Sequence, residues 1–177
     1  MEYLVFLRFI HIVSAIFWGG SIMYNAWFIG PAVRALGPDG GKFMAQLSRT
    51  NRFPLMILIA GTLTNLGGIL LIERLSGGFQ SYWFGTTHGI IISTGGLLSL
   101  IAFTIGITVN LPTIKKMNVI GAAAAAAGGP PSAEQQQQLL AMRNKLFKMT
   151  NIMAGMVFLA AVAMAIDRKS TRLNSSH

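Results

Sequence analysis

The chain contains no cysteine, which excludes disulfides, thiolate metal sites and cysteine nucleophiles. Charge is scarce as well. Only 11% of the 177 residues are charged, and five of them are Asp or Glu, against about 25% charged in an average soluble domain. So few charges could not cover a water-exposed surface. With 53% hydrophobic residues, lipid is the natural solvent for this sequence. The shortage of acids also removes reaction classes. No apolar run carries paired carboxylates, and the sequence has neither a nucleophile–base arrangement nor a phosphate loop, so nothing resembles a hydrolase.

The net charge of +9 raises the question of nucleic acid. The basic residues lie between long uncharged runs, with no aromatic-and-basic patch to track a phosphate backbone, so no nucleic-acid partner is expected. The final residues, Asp167-Arg168-Lys169-Ser170-Thr171-Arg172-Leu173-Asn174-Ser175-Ser176-His177, match residue for residue the in-frame translation of a common sequencing adapter. This stretch is expected to be non-native. It carries three positive charges and one negative, which leaves +7 on residues 1–166.

Four uncharged apolar runs predict an all-α, integral membrane four-helix bundle forming one domain over residues 1–166, with spans at about 4–29, 53–72, 86–110 and 149–166. At ~1.5 Å per residue these runs reach about 27–37 Å, enough to cross a hydrocarbon core of ~30 Å. The first run lacks a basic leader and is too long for a signal peptide. Between the second and third runs, Ser76 to Trp83 reads as a loop with an interfacial aromatic anchor.

Loop charges set the expected orientation. Arg34, Lys42, Arg49 and Arg52 against Asp39 give the first loop +3. Lys115, Lys116, Arg143, Lys145 and Lys148 against Glu134 give the third loop +4. The opposite side, with Glu2, Arg8, Glu73 and Arg74, sums to zero. The positive-inside rule then predicts a multi-pass protein of the bacterial cytoplasmic (inner) membrane, with both termini outside. Its partners are the lipid bilayer and a homo-oligomer or larger membrane complex. In the third loop, the Ala122–Ala127 run and the Gly-Gly-Pro-Pro after it read as a flexible linker. Ser132 and Gln135 then form a capping box that starts the last helix.

In the first span Arg8, His11, Ser14, Trp18, Ser21 and Asn25 recur at helical spacing as one polar stripe. Lipid would reject such a stripe, so it is expected to face the other helices. Weaker stripes follow: Gly61, Asn65 and Gly68 in the second span, His88, Gly95, Ser99, Ala102, Gly106 and Asn110 in the third, and Asn151, Ala154, Ala161 and Ala165 in the fourth. For the small and amide residues, close helix packing is the simplest reading. The histidines admit two. His11 and His88 are expected at similar depth in the outer half of the membrane, where imidazoles on the first and third helices could ligate haem iron or copper. Arg8, one turn above His11, would then neutralise a propionate or other anion. Alternatively each histidine simply bonds a backbone carbonyl, and the stripe serves a non-catalytic membrane subunit or a small-solute transporter. Met149, Met153, Met156 and Met164 in the last span suit Cu(I), but read first as core filler.

The segment Leu7-Arg8-Phe9-Ile10-His11-Ile12-Val13-Ser14-Ala15-Ile16-Phe17-Trp18-Gly19-Gly20 resembles the opening helix of CopD-like copper-resistance proteins and HemJ-type protoporphyrinogen oxidases. The resemblance extends through Gly30-Pro31-Ala32, to Pro112 and to the Met-Ala-Ile ending at Ile166, although it rests mainly on the first helix. It implies a small bacterial four-helix membrane protein. For the oxidase-like group it implies b-type haem and a first-helix histidine, matched by His11. The lysine of that group's third helix has no counterpart in Thr86-Thr87-His88. For the copper group it implies copper handling, with His11 and His88 as metal-ligand candidates.

Overall fold

The computed structural model describes residues 2–49 and 52–174. Ser175, Ser176 and His177 of the terminal tail lie outside the described residues. Among those residues the chain is all-helical: α1 (Glu2–Tyr24), α2 (Gly30–Ala35), α3 (Pro38–Arg49), α4 (Phe53–Leu75), α5 (Ser81–Phe84), α6 (Thr87–Ile105), α7 (Leu111–Ala126) and α8 (Ala133–Asn174). Four continuous helical runs are long and apolar enough to cross a membrane: Glu2–Ala35, Phe53–Leu75, Thr87–Ala126 and Ala133–Ile166.

The long helices alternate in direction around a square. α1 lies along α4, and α6 along α8, while α1–α8 and α4–α6 close the other two sides. Antiparallel helices in sequence are neighbours, so the parallel pair α1 and α6 sits across the diagonal. Trp18, Ile22 and Ala26 from the first run meet Ala60, Ala102, Met153, Ala154 and Val157 at the centre. The outer faces carry Phe6, Ile16, Phe28, Leu66, Leu97 and Leu159, all more than half exposed. Lipid tails are as apolar as these side chains, so burying them would add little to helix association in a bilayer. There, close backbone approach and interhelical hydrogen bonds would supply the specificity.

Two helices extend past their expected ends. Pro31 and Pro112 lack an N–H and crowd the carbonyl four residues back, which would break a regular helix. Each is absorbed by a π turn just before it, at Asn25–Ile29 and Gly106–Asn110. Gly30 N–H bonds the carbonyl of Asn25, and Leu111 N–H that of Gly106. One extra residue in the turn relieves the clash without ending the helix. The third run therefore does not stop at Asn110 but reaches Ala126, 40 residues in all. Its length is roughly 60 Å, about twice a hydrocarbon core. The expected linker at Ala122–Ala127 is likewise corrected. Alanine is the best helix former, and the run continues α7 with Ala124 only 5% exposed.

The last helix starts as the sequence predicts. Ser132 N–H donates to Gln135 Oε1 at 2.9 Å, and Gln135 N–H donates back to Ser132 Oγ at 3.2 Å. α6 is capped by Thr86, whose Oγ1 accepts from Gly89 N–H at 3.0 Å. In the loop between α4 and α6, Tyr82 is 70% exposed but Trp83 only 7%. Tyr82 thus points outward, while Trp83 folds inward.

Candidate functional site in the polar stripe

The stripe on α1 turns inward from His11 onward: Ser14 and Trp18 are buried, and His11, Ser21 and Asn25 half-buried. Arg8 departs from it. Leu7 is buried in its place, and Arg8 faces outward, exposed.

His11 lies in a notch of α4. Its Nδ1 is 2.8 Å from the carbonyl oxygen of Thr64, so Nδ1 carries the proton and donates it. Gly67 and Gly68 form the notch floor. A Cβ at Gly67 would stand 3.2 Å from His11 Cβ, and one at Gly68 would stand 3.1 Å from Cε1. Two glycines in succession are what let the imidazole lie against the α4 backbone. One turn on, the Thr64 hydroxyl shares its proton between the Ala60 carbonyl, at 2.8 Å, and Ser14 Oγ, at 3.1 Å. Ser14 Oγ in turn donates to the Ile10 carbonyl at 2.6 Å.

The polar layer continues across the bundle. Asn65 donates from Nδ2 to the Gly61 carbonyl at 2.8 Å, and its Oδ1 accepts from Ser99 Oγ at 3.1 Å, joining α4 to α6. Trp18 reaches across the diagonal, edge-on to Phe103 with ring centroids 6.1 Å apart. Towards the basic end, Asn110 Nδ2 lies 3.2 Å from Thr150 Oγ1 and 3.3 Å from Met153 Sδ, joining α6 to α8. Two buried oxygens, Ser93 Oγ and Asn110 Oδ1, have no hydrogen-bond partner.

His88 sits elsewhere. It is half-buried at the start of α6, with its ring edge-on to Trp83 and centroids 5.5 Å apart. Asn65 meets Ser99 and Ile72 meets Gly96, so the notch holding His11 is level with about Leu97. His88 is about nine residues nearer the opposite end, roughly 13 Å along the axis. The two histidines expected at similar depth thus differ in height along the bundle, on helices that pack across the diagonal and not side by side. The loop before α6 is short, which leaves His88 in its first turn, whereas His11 lies well inside α1. Two imidazoles sharing one metal would each bring a nitrogen to about 2 Å from it. The structure places the two imidazoles at different heights on helices that face each other across the diagonal.

Among the described residues, no cluster of three or more His, Asp, Glu or Cys could hold a metal. A surface concavity lined by Glu2, Val5, Phe6 and Phe9 lies on the outward side of α1, away from the α1–α6 diagonal. Of the fourth-span methionines, Met153 is 4% exposed and belongs to the core, its sulfur facing Asn110. Ala154 is buried as expected, but Ala161 and Ala165 face outward.

Thr64 and Gly67 complete the His11 site and were absent from the predicted stripe of the second span. Their signal was the small-residue spacing Gly61, Thr64, Gly67 and Gly68, which marks the face α4 turns to α1. No family model matches the chain, and no curated protein or solved structure is significantly similar to it.

Proposed function

We propose that this is a multi-pass protein of the bacterial cytoplasmic membrane, with both termini outside, in which the polar stripe of α1 is an assembly element and the chain serves as a non-catalytic membrane subunit. The carrying observation is where the polar atoms are spent: His11 on the Thr64 carbonyl, Ser14 on Thr64, Asn65 on Ser99 and Asn110 on Thr150. These bonds link neighbouring helices. The membrane placement is supported by the four apolar runs and by the asymmetry of loop charge.

A second reading keeps His11 as a single ligand to b-type haem or copper. The specific observation in its favour is the Nδ1–H bond to Thr64, which leaves a lone pair on Nε2 and fixes the ring, as the outer hydrogen bond of a metal-ligating histidine does. Arg8 on the outward face and His88 would then be bystanders to that ligand. An absorption spectrum of the detergent-purified protein, before and after dithionite, with iron and copper analysis, separates the readings. The assembly reading predicts no stoichiometric haem or copper, and a His11→Ala variant that loses thermal stability. A Soret band with reduced-state α and β bands that disappear in His11→Ala would overturn it.

A further inference from the structure

At the basic end, between the start of α4 and the junction of α6 with α7, the surface holds an open groove of about 310 Å³. Its lining combines two chemistries: Arg52 and Lys115 with Ser48 and Asn118, and the apolar Leu55, Leu58, Leu111 and Ile114. Asn118 Nδ2 donates to Ser48 Oγ at 3.2 Å, tying α7 to α3. Arg52 adopts a left-handed backbone conformation, φ 52° and ψ 27°, immediately before α4. That conformation is uncommon for a side-chain-bearing residue and concentrates at ligand-holding positions. Asp39, on the preceding helix α3, is already bonded to Lys42 at 2.8 Å, and no carboxylate lines the groove.

We infer that this groove binds one anionic phospholipid of the cytoplasmic leaflet, its phosphodiester held by Arg52 and Lys115 and an acyl chain lying along Leu55, Leu58, Leu111 and Ile114. The inference rests on the membrane placement proposed above. In that placement Arg52 and Lys115 stand at headgroup level. Leu58 is six residues further into α4, about 9 Å deeper, where acyl chains begin. A guanidinium offers a planar fork to phosphate oxygens, and the ammonium adds a point charge. Basic pockets between helices on the cytoplasmic side suit such headgroups. A zwitterionic lipid would bring a choline or ethanolamine cation against the same two positive groups, so the site selects for net negative charge.

The test is retention of lipid by the full chain, reconstituted in nanodiscs of phosphatidylglycerol and phosphatidylcholine and released into native mass spectrometry. The expected result is one phosphatidylglycerol retained per chain in preference to phosphatidylcholine. An Arg52→Gln/Lys115→Gln double variant should bind it about thirty-fold more weakly. A Lys116→Gln/Lys145→Gln variant removes equal charge outside the groove and should retain it. Equal loss in both variants would overturn the site in favour of diffuse surface charge. Equal retention of the two lipids by the unaltered chain, a comparison that needs no variant, would overturn it as well. Failure of the membrane placement reads differently: the chain would wash off membranes with carbonate, whereas an integral chain without lipid preference overturns this inference alone.

Discussion

Gly61 offers the sharpest perturbation of the bundle. It sits on α4 where Trp18 of α1 and Phe103 of α6 converge. A Cβ placed there would be 2.8 Å from Trp18 Nε1 and 2.8 Å from Phe103 Cδ2. Neither ring has an easy retreat: Trp18 is 3% exposed, and the two rings already meet edge-on at 75°. Gly61→Ala therefore forces overpacking, which costs about 1–3 kcal/mol. It also brings a helix-propensity gain of roughly 0.5–1 kcal/mol, which would obscure the cost in a single comparison. Gly155→Ala in α8 brings the same gain, and nothing lies within 4 Å of its new methyl. The difference between the two variants then isolates the packing cost. At roughly 2–4 °C per kcal/mol for a chain of this size, Gly61→Ala should melt about 2–12 °C below Gly155→Ala. Thermal unfolding in detergent, followed by far-ultraviolet circular dichroism, reads the gap. Equal melting points would refute the close approach of α1, α4 and α6 at Gly61.

Four further outcomes follow from individual contacts. Gly68→Val should displace the His11 imidazole, since even a Cβ there meets Cε1 at 3.1 Å; the His11 proton resonances should shift and stability fall by about 1–3 kcal/mol, and an unshifted spectrum would contradict the notch. Thr64→Val removes the hydroxyl bridge to Ser14 but leaves Ser14 bonded to Ile10, so the loss in a denaturation series should be only about 0.6 kcal/mol; a loss of several kcal/mol would mean the bridge is part of a larger network. Ser132→Ala deletes one half of the capping box, at a cost of about 1 kcal/mol, visible as faster hydrogen exchange at Gln135 and Gln136, with unchanged exchange counting against the cap. The hydrogen bond and then the charge of Lys42 hold the exposed Asp39 carboxyl below its ordinary range. The pair's contribution is therefore complete above the ordinary carboxylate range and fades as acidification passes the lowered value. In Lys42→Met, an NMR titration should show Asp39 back in the ordinary range, and an unmoved midpoint would exclude the interaction.

Much of the architecture was legible because long apolar runs bounded by charge admit few structures other than long helices. A span needs about twenty apolar residues, and four such runs separated by charge leave few alternatives. The capping box at Ser132 was equally readable, since its reciprocal bonds depend on residues three apart and on little else. The inward face of α1 followed from the 3–4 spacing of His11, Ser14 and Trp18. Three features were not legible, each for a local reason. Pro112 looks like a stop, because the cost of proline in a helix is local, whereas the π turn at Gly106–Asn110 absorbs it over a longer stretch. The alanine run after Gly121 resembles a linker in composition, but alanine's helix propensity lets it continue α7, with Ala124 buried. The relation of His11 to His88 depends on helix order around the square and on the axial register set by Asn65–Ser99 and Gly61–Phe103. Spacing within one helix carries no information about that register. Ser93 Oγ remains a buried hydroxyl for which the packing offers no explanation.

The most direct test of the central claim uses the chain's lack of cysteine, which makes single introduced thiols unambiguous reporters. Gly78→Cys lies in the loop between α4 and α6, and Ser132→Cys caps α8 at the other end. Both would be probed in whole cells with a membrane-impermeant maleimide. A four-pass bundle with its basic loops inside predicts labelling at position 78 in intact cells, and at position 132 only after permeabilisation. Labelling of both positions from outside, or the reverse pattern, would contradict it.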